Sequence, residues 1–123
     1  MLHKDYKPLD EEMLESLKPS IERWKDQFKN KGGIRLIEVQ GEEDEDKFEG
    51  IFKIPERHDL ELSIKDGSTD TQSNEQLAML CVLYPDPLVF KQILEKHWAL
   101  STPIAKKLVE ISGVAREARS KKL

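Results

Sequence analysis

Apolar residues are densest from Gln76 to Gly113, and their spacing there is helical. Two helix-start signals of one design divide this stretch, Asp86-Pro87 and Thr102-Pro103. In each, a short polar side chain can cap the helix, and a proline follows where its missing N–H costs nothing. Three consecutive short helices are predicted. The first, Ser73 to Tyr84, opens on Ser73-x-x-Gln76, a capping-box pattern. Its run from Leu77 to Tyr84 is apolar all round, which marks it as the most buried helix. The second, Pro87 to about His97, brings Phe90, Ile93, Leu94 and Trp98 near one face. The third, Pro103 to Ser112, aligns Ile104, Leu108 and Ile111 with Ala105 beside them, and Gly113 supplies the stop.

Upstream the pattern is sparser. Residues Met1 to Leu9 are polar and expected to be loose. Asp10 to Leu17 suits a short helical turn with acids at its N-terminal end, and Pro19 predicts a fresh helix start. From Ser20 to Asn30 a narrow stripe of Ile21, Trp24 and Phe28 runs to a stop at Gly32-Gly33. A stripe this narrow buries little, so the segment lies across the domain or docks on a partner. Ile34 to Gln40 is rich in β-branched residues, and Phe48, Gly50, Phe52 and Ile54 alternate with Glu49 and Lys53. Together they read as a β-hairpin, with a change of phase after Leu36 that predicts a bulge or burial on both faces. Pro55-Glu56 and Asp66-Gly67 bracket a short helix, although Leu60, Leu62 and Ile64 also alternate as a strand would.

The fold class expected is α+β, mostly helical: an N-terminal helix, one β-hairpin, then a compact bundle of about four short helices. Residues 1–18 form a loose N-terminal segment. A single domain spans 19–113, with the hairpin at about 34–54 and the helical part at about 55–113. Residues 114–123 are a basic tail.

Composition narrows the setting. The 123 residues are 36% charged and 37% hydrophobic with net charge −4, enough for one small core without metal or disulfide. No apolar run approaches the ~20 residues of a membrane span, and the N-terminus lacks a signal-peptide core. The one cysteine, Cys81, sits in the most apolar segment, where burial suppresses the thiolate. A reducing cytoplasm is the simplest setting.

Candidate chemistry is thin. His3, His58 and His97 are scattered without metal-ligand spacing, and His58 and Asp59, as neighbours on a helix, would not face each other. No catalytic, cofactor or metal residues are assigned. Glu42, Glu43, Asp44, Glu45 and Asp46 are five consecutive carboxylates without the alternation or central glycine of a calcium loop. Base is concentrated near the other end, at Arg116, Arg119, Lys121 and Lys122. This asymmetry marks both groups as candidate electrostatic contacts, for a charged partner or for head-to-tail self-association. Nucleic acid is disfavoured, because the chain is acidic and its basic tail has no interleaved aromatics. Large apolar residues are in surplus in the helical part: Tyr84, Leu88, Phe90, Trp98 and Leu100. Phe90 and Trp98, with the stripe of Ile21, Trp24 and Phe28, are the candidate partner-binding residues.

At Phe52-Lys53-Ile54-Pro55-Glu56-Arg57 the chain resembles the small tail assembly chaperones of long-tailed bacteriophages. Leu80-Cys81-Val82-Leu83-Tyr84-Pro85-Asp86 looks like that family's helix-ending corner, and Ala105 to Gly113 looks like its closing helix. The order of elements also fits, and the resemblance covers about Trp24 to Gly113. It implies a non-enzymatic factor that binds the tape measure protein, recruits tail tube protein during polymerisation, acts in the host cytoplasm and is absent from the finished virion. A structural adaptor retained in the particle, a generic protein-interaction domain and a small enzyme are the competing readings. The enzyme would require His58, Asp59 and His97 to meet in one cleft.

Overall fold

The computed structural model describes residues 2–41, 47–64 and 69–113, together with Ser120 and Lys122. In chain order the elements are α1 (Glu11–Gln27), β1 (Ile34–Val39), β2 (Phe48–Lys53), α2 (Arg57–Ser63), α3 (Asp70–Cys81), β3 (Val82–Tyr84), α4 (Pro87–Lys96) and α5 (Ser101–Ser112). Single 3₁₀ turns follow α1 and α4, at Lys29–Lys31 and Trp98–Leu100. The fold is α+β, as the pattern predicts.

Local chemistry explains most boundaries. Asp10 caps α1 by accepting from the Met13 N–H at 2.7 Å, with Glu11 and Glu12 in the first turn, where negative charge suits the helix dipole. The helix then runs through Pro19 instead of restarting there. Both Pro19 and Glu15 are exposed, so water can satisfy the Glu15 carbonyl that the proline leaves without a donor. α3 starts earlier than Ser73: Thr69 and Gln72 form a reciprocal capping box, the same pattern one turn upstream. Asp86 caps α4 by accepting from the Leu88 N–H at 3.0 Å, with Pro87 in the first turn, as expected. Thr102 does not cap α5. The helix continues from the Trp98–Leu100 turn through Ser101, whose hydroxyl donates to the Trp98 carbonyl at 2.9 Å. Pro103 still falls in the first turn, where no intrahelical N–H bond is lost. Gly113 ends α5 at φ 80°, a conformation in which a β-carbon would be strained.

The largest departure from the pattern lies at Val82–Tyr84. These residues belong to the apolar run predicted as helix, but they form β3, which pairs antiparallel with β2. A short, wholly apolar run does not distinguish buried helix from buried strand. Pro85 decides it, because the residue before a proline is pushed out of the α region. The sheet order is β1-β2-β3. β1 and β2 pair without interruption from Ile34↔Lys53 to Val39↔Phe48. Neither the bulge nor the two-sided burial expected after Leu36 is found in β1, where Leu36 is exposed; a separate register shift lies between β2 and β3, at Ile51/Phe52.

This register puts Phe48, Gly50 and Phe52 on one face of β2. Phe48, Phe52 and Phe90 of α4 are fully buried. Their rings lie 5.6 Å (Phe48–Phe90), 5.8 Å (Phe52–Phe90) and 6.4 Å (Phe48–Phe52) apart. Gly50 makes room for this cluster: a β-carbon there would stand 2.7 Å from the Phe52 ring, 2.9 Å from the Phe48 ring and 2.9 Å from the Tyr84 carbonyl. Leu77, Ala78 and Cys81 of α3, Ile93 and Leu94 of α4, and Ile104, Ala105 and Leu108 of α5 complete the core.

The N-terminal residues are part of that core, where the polar pattern predicts a loose segment. Leu2, Tyr6 and Leu9 are each 5% exposed. Tyr6 stacks on Phe48 at 5.6 Å. Its hydroxyl accepts from the Glu49 N–H at 2.8 Å and donates to the Glu49 carbonyl at 3.1 Å. Tyr84 does the same for Lys7, its hydroxyl donating to the Lys7 carbonyl. Two phenols, one from each side, thus fasten the N-terminal strap, residues 2–9, to the sheet. On the other side of the molecule α2 is tied to β2 by Asp59, whose Oδ2 accepts from Lys53 Nζ and from the Glu56 N–H, both at 2.9 Å.

Candidate functional site

The five residues singled out as partner-binding separate into three groups. Phe90 is 0% exposed and sits among Phe48 and Phe52, so it is core and not surface. Phe28 is also buried, closing the C-terminal end of α1 at 9% exposure. Ile21 and Trp24 are half-buried and pack, with Met13, Leu14 and Leu17, against the core. No residue of α1 is fully buried. Trp98 alone of the five stands largely in solvent, at 60% exposure. Of the other large apolar residues, Tyr84 is core and Leu88 is exposed on the first turn of α4.

Trp98 borders a groove of about 540 Å³ lined by Leu2, Val39, Gly41, Lys96, His97, Ala99 and Leu100. Three parts of the chain build it: the strap, the end of β1, and the turn between α4 and α5. The lining is mainly apolar. Lys96, exposed at the end of α4, has no ion-pair partner among the described residues. His97 Nε2 is buried without a hydrogen-bond partner among the described residues. Sequence reasoning reached Trp98 and Leu100 through their surplus hydrophobicity. It missed Leu2 and Val39, because nothing in the pattern tells that residue 2 and the end of a strand meet.

His58, Asp59 and His97 do not converge. His58 is exposed on α2, Asp59 is held by Lys53 and the Glu56 N–H, and His97 lines the groove beside Trp98. Among the described residues no cluster of histidine, cysteine, aspartate or glutamate has metal-binding geometry. The acidic run Glu42–Asp46 and the basic residues Arg116, Arg119 and Lys121 lie outside the described residues; Lys122 is exposed.

Burial sets the titration of Tyr6, Tyr84 and Cys81. It pushes the Tyr6 hydroxyl up to about 12 against the opposing pull of its Glu49 backbone hydrogen bond. It also raises Tyr84, against the Lys7 backbone hydrogen bond. The Cys81 thiol is pushed up to about 12, chiefly by burial, with Asp59 adding to the rise. A thiol so disfavoured as thiolate is a packing residue. All three groups are neutral acids held above their unfolded values, so their contribution is complete below those values, 9.0 for cysteine and 10.0 for tyrosine. It is lost as pH rises toward about 12. The urea midpoint is therefore expected to be level across neutral pH and to fall from pH 9.0 upward. Tyr6→Phe is expected to flatten the upper part of that fall. A midpoint unchanged up to tyrosinate formation in the unfolded chain would contradict the buried placement of these groups.

Comparison of the chain with protein-family models, curated proteins and solved structures gives no match.

Proposed function

We propose that this chain is a non-enzymatic tail assembly chaperone of a long-tailed bacteriophage or prophage. In this reading it binds the tape measure protein and assists tail tube polymerisation in the host cytoplasm. The observation that carries the binding part is Trp98, 60% exposed at the border of a groove lined by Leu2, Val39 and Leu100. An indole held in water beside an apolar groove is a standing anchor for an apolar partner. A groove of this size accepts a short row of side chains from one face of an amphipathic helix. The sequence resemblance supplies the identity of the partner. Such a factor leaves the particle once the tube has polymerised.

Co-expression with a tape measure protein encoded beside this chain tests the reading. A soluble complex is expected, with the partner insoluble alone. Trp98→Asp is expected to weaken that complex at least tenfold, corresponding to about 1.4 kcal/mol or more. Because Trp98 is largely exposed, thermal stability should change by less than about 0.5 kcal/mol. Detection of this chain at stoichiometric levels in purified particles would instead make it a structural adaptor.

A further inference from the structure

We propose that the N-terminal strap is a movable wall of the Trp98 groove, one that the bound partner locks onto the sheet. The inference rests on the chaperone reading and deepens it, since it says how the groove is completed and what regulates it. Among the described residues, Leu2, Val39 and Leu100 are the large aliphatic side chains that line the groove beside Trp98. Val39 stands at the end of β1, and Leu100 on the turn before α5. Leu2 comes from the strap, where it is 5% exposed. One aliphatic wall of the groove therefore depends on a segment that is neither helix nor strand.

Side chains hold that segment down. Among the described residues, the strap makes no backbone-to-backbone hydrogen bond to any strand; its own are local, from the Tyr6 N–H to the His3 carbonyl at 3.2 Å and from the Asp10 N–H to the Pro8 carbonyl at 3.0 Å. The pairing of β3 with β2, at Ile51↔Tyr84 and Phe52↔Val82, stops short of Glu49. The Tyr6 hydroxyl serves the Glu49 backbone instead, at 2.8 Å from its N–H nitrogen and 3.1 Å from its carbonyl oxygen. Nearer the groove, the Asp5 N–H donates to His3 Nδ1 at 3.0 Å, so His3 Nε2 carries the ring proton and donates to Gln92 Oε1 of α4 at 2.6 Å. That bond is exposed, and water competes for both of its partners. A segment fastened in this way can lift as a unit while β1 and β2 stay paired. When it lifts, Leu2 leaves the groove.

Lifting and binding are then linked. A partner that fits the closed groove better than the open one holds the strap down by the same factor by which the docked strap raises its affinity. Loosening the strap costs affinity only in proportion to the open fraction, whereas removing the wall costs it directly. Leu2 and Leu9 separate the two effects. Both are 5% exposed, but Leu9 does not line the groove.

The complex with the tape measure protein encoded beside this chain is the probe, and exchange of the Glu49 amide reads the strap. In the free chain, Tyr6→Phe keeps the ring and is expected to speed that exchange about tenfold, because the hydroxyl guards it. In the complex of the unsubstituted chain, exchange is expected to slow about fivefold, the lower end for coupled sites. Leu2→Ala is expected to weaken the complex about fivefold and to abolish the slowing. Leu9→Ala is expected to speed exchange in the free chain while keeping the affinity and the slowing. Equal exchange in the free and bound unsubstituted chain overturns the proposal without recourse to any variant. A Leu2→Ala complex of unchanged affinity overturns it too, and leaves the strap as packing while the chaperone reading stands. No complex with the unsubstituted chain removes that reading and this inference together.

Discussion

Phe90→Ala is expected to cost about 3–5 kcal/mol of folding stability, a large part of the ~5–15 kcal/mol that holds a domain of this size together. Phe90 is 0% exposed and lies within 6 Å of two other buried rings, at 5.6 Å from Phe48 and 5.8 Å from Phe52. Truncation removes the transfer free energy of the ring and leaves a cavity whose walls are themselves rigid aromatics. Those walls belong to β2, the central strand, so they cannot close in without disturbing both strand pairings. The edge-to-face and tilted ring contacts add about 0.5–1.5 kcal/mol per pair. Urea denaturation followed by circular dichroism measures the loss. Phe90→Leu, which keeps most of the volume, should recover the greater part of it. A loss below about 1.5 kcal/mol for Phe90→Ala would mean that Phe90 is not at the centre of this cluster. Trp98→Asp is the paired control: both residues answer to the same sequence signal, yet one should affect stability and the other affinity.

Asp59→Ala is the second large effect, about 3 kcal/mol, at the lower end of the range for breaking a buried ion pair. The lower end applies because the Lys53 side chain retains 19% exposure. Asp59 carries two duties at one oxygen, accepting from Lys53 Nζ and from the Glu56 N–H. Its loss leaves an ammonium group in a largely dry site and undoes half of the capping box that starts α2. Replacing both partners by apolar residues of similar volume, Lys53→Met with Asp59→Leu, should be markedly less damaging than Asp59→Ala alone, since no charge is then stranded. If the double variant is as unstable as the single one, the cap and not the ion pair dominates.

How much of this was readable from the chain depended on whether a signal was local. Asp86-Pro87 fixed the start of α4 because cap and proline act within one turn. The hairpin is legible because Phe48, Gly50 and Phe52 alternate with Glu49 and Lys53, even though Ile51 between them is buried. The helix at α2 is legible from its start at Pro55-Glu56, although Leu60, Leu62 and Ile64 alternate; it ends at Ser63, and Asp66-Gly67, the expected stop, lies outside the described residues. What failed was non-local. Pro19 predicts a restart that α1 does not make, because the cost of the proline depends on whether water reaches the Glu15 carbonyl, and only the folded surface decides that. Val82–Tyr84 reads as helix until β2 offers an edge to pair with. Leu2, Tyr6 and Leu9 are ordinary apolar residues in a polar stretch, and the ring on which Tyr6 stacks, Phe48, lies 42 residues further along the chain. The candidate site shows the same division. Hydrophobic surplus pointed equally to Phe90 and Trp98, and burial alone separated them.

The strap's two phenol clasps also bear on how the chain comes off the ribosome. Tyr6 waits for Glu49, 43 residues later, and Lys7 waits for Tyr84, 77 residues later. At roughly 5–20 residues per second, the second interval lasts on the order of 4–15 s. During it Leu2, Tyr6, Leu9 and the stripe of α1 have emerged before the sheet they are fastened to is complete. The first part of this sequence to be synthesised is thus among the last to find its place, and a nascent chain stalled before Tyr84 should present that amphipathic segment to whatever cellular chaperone is nearest.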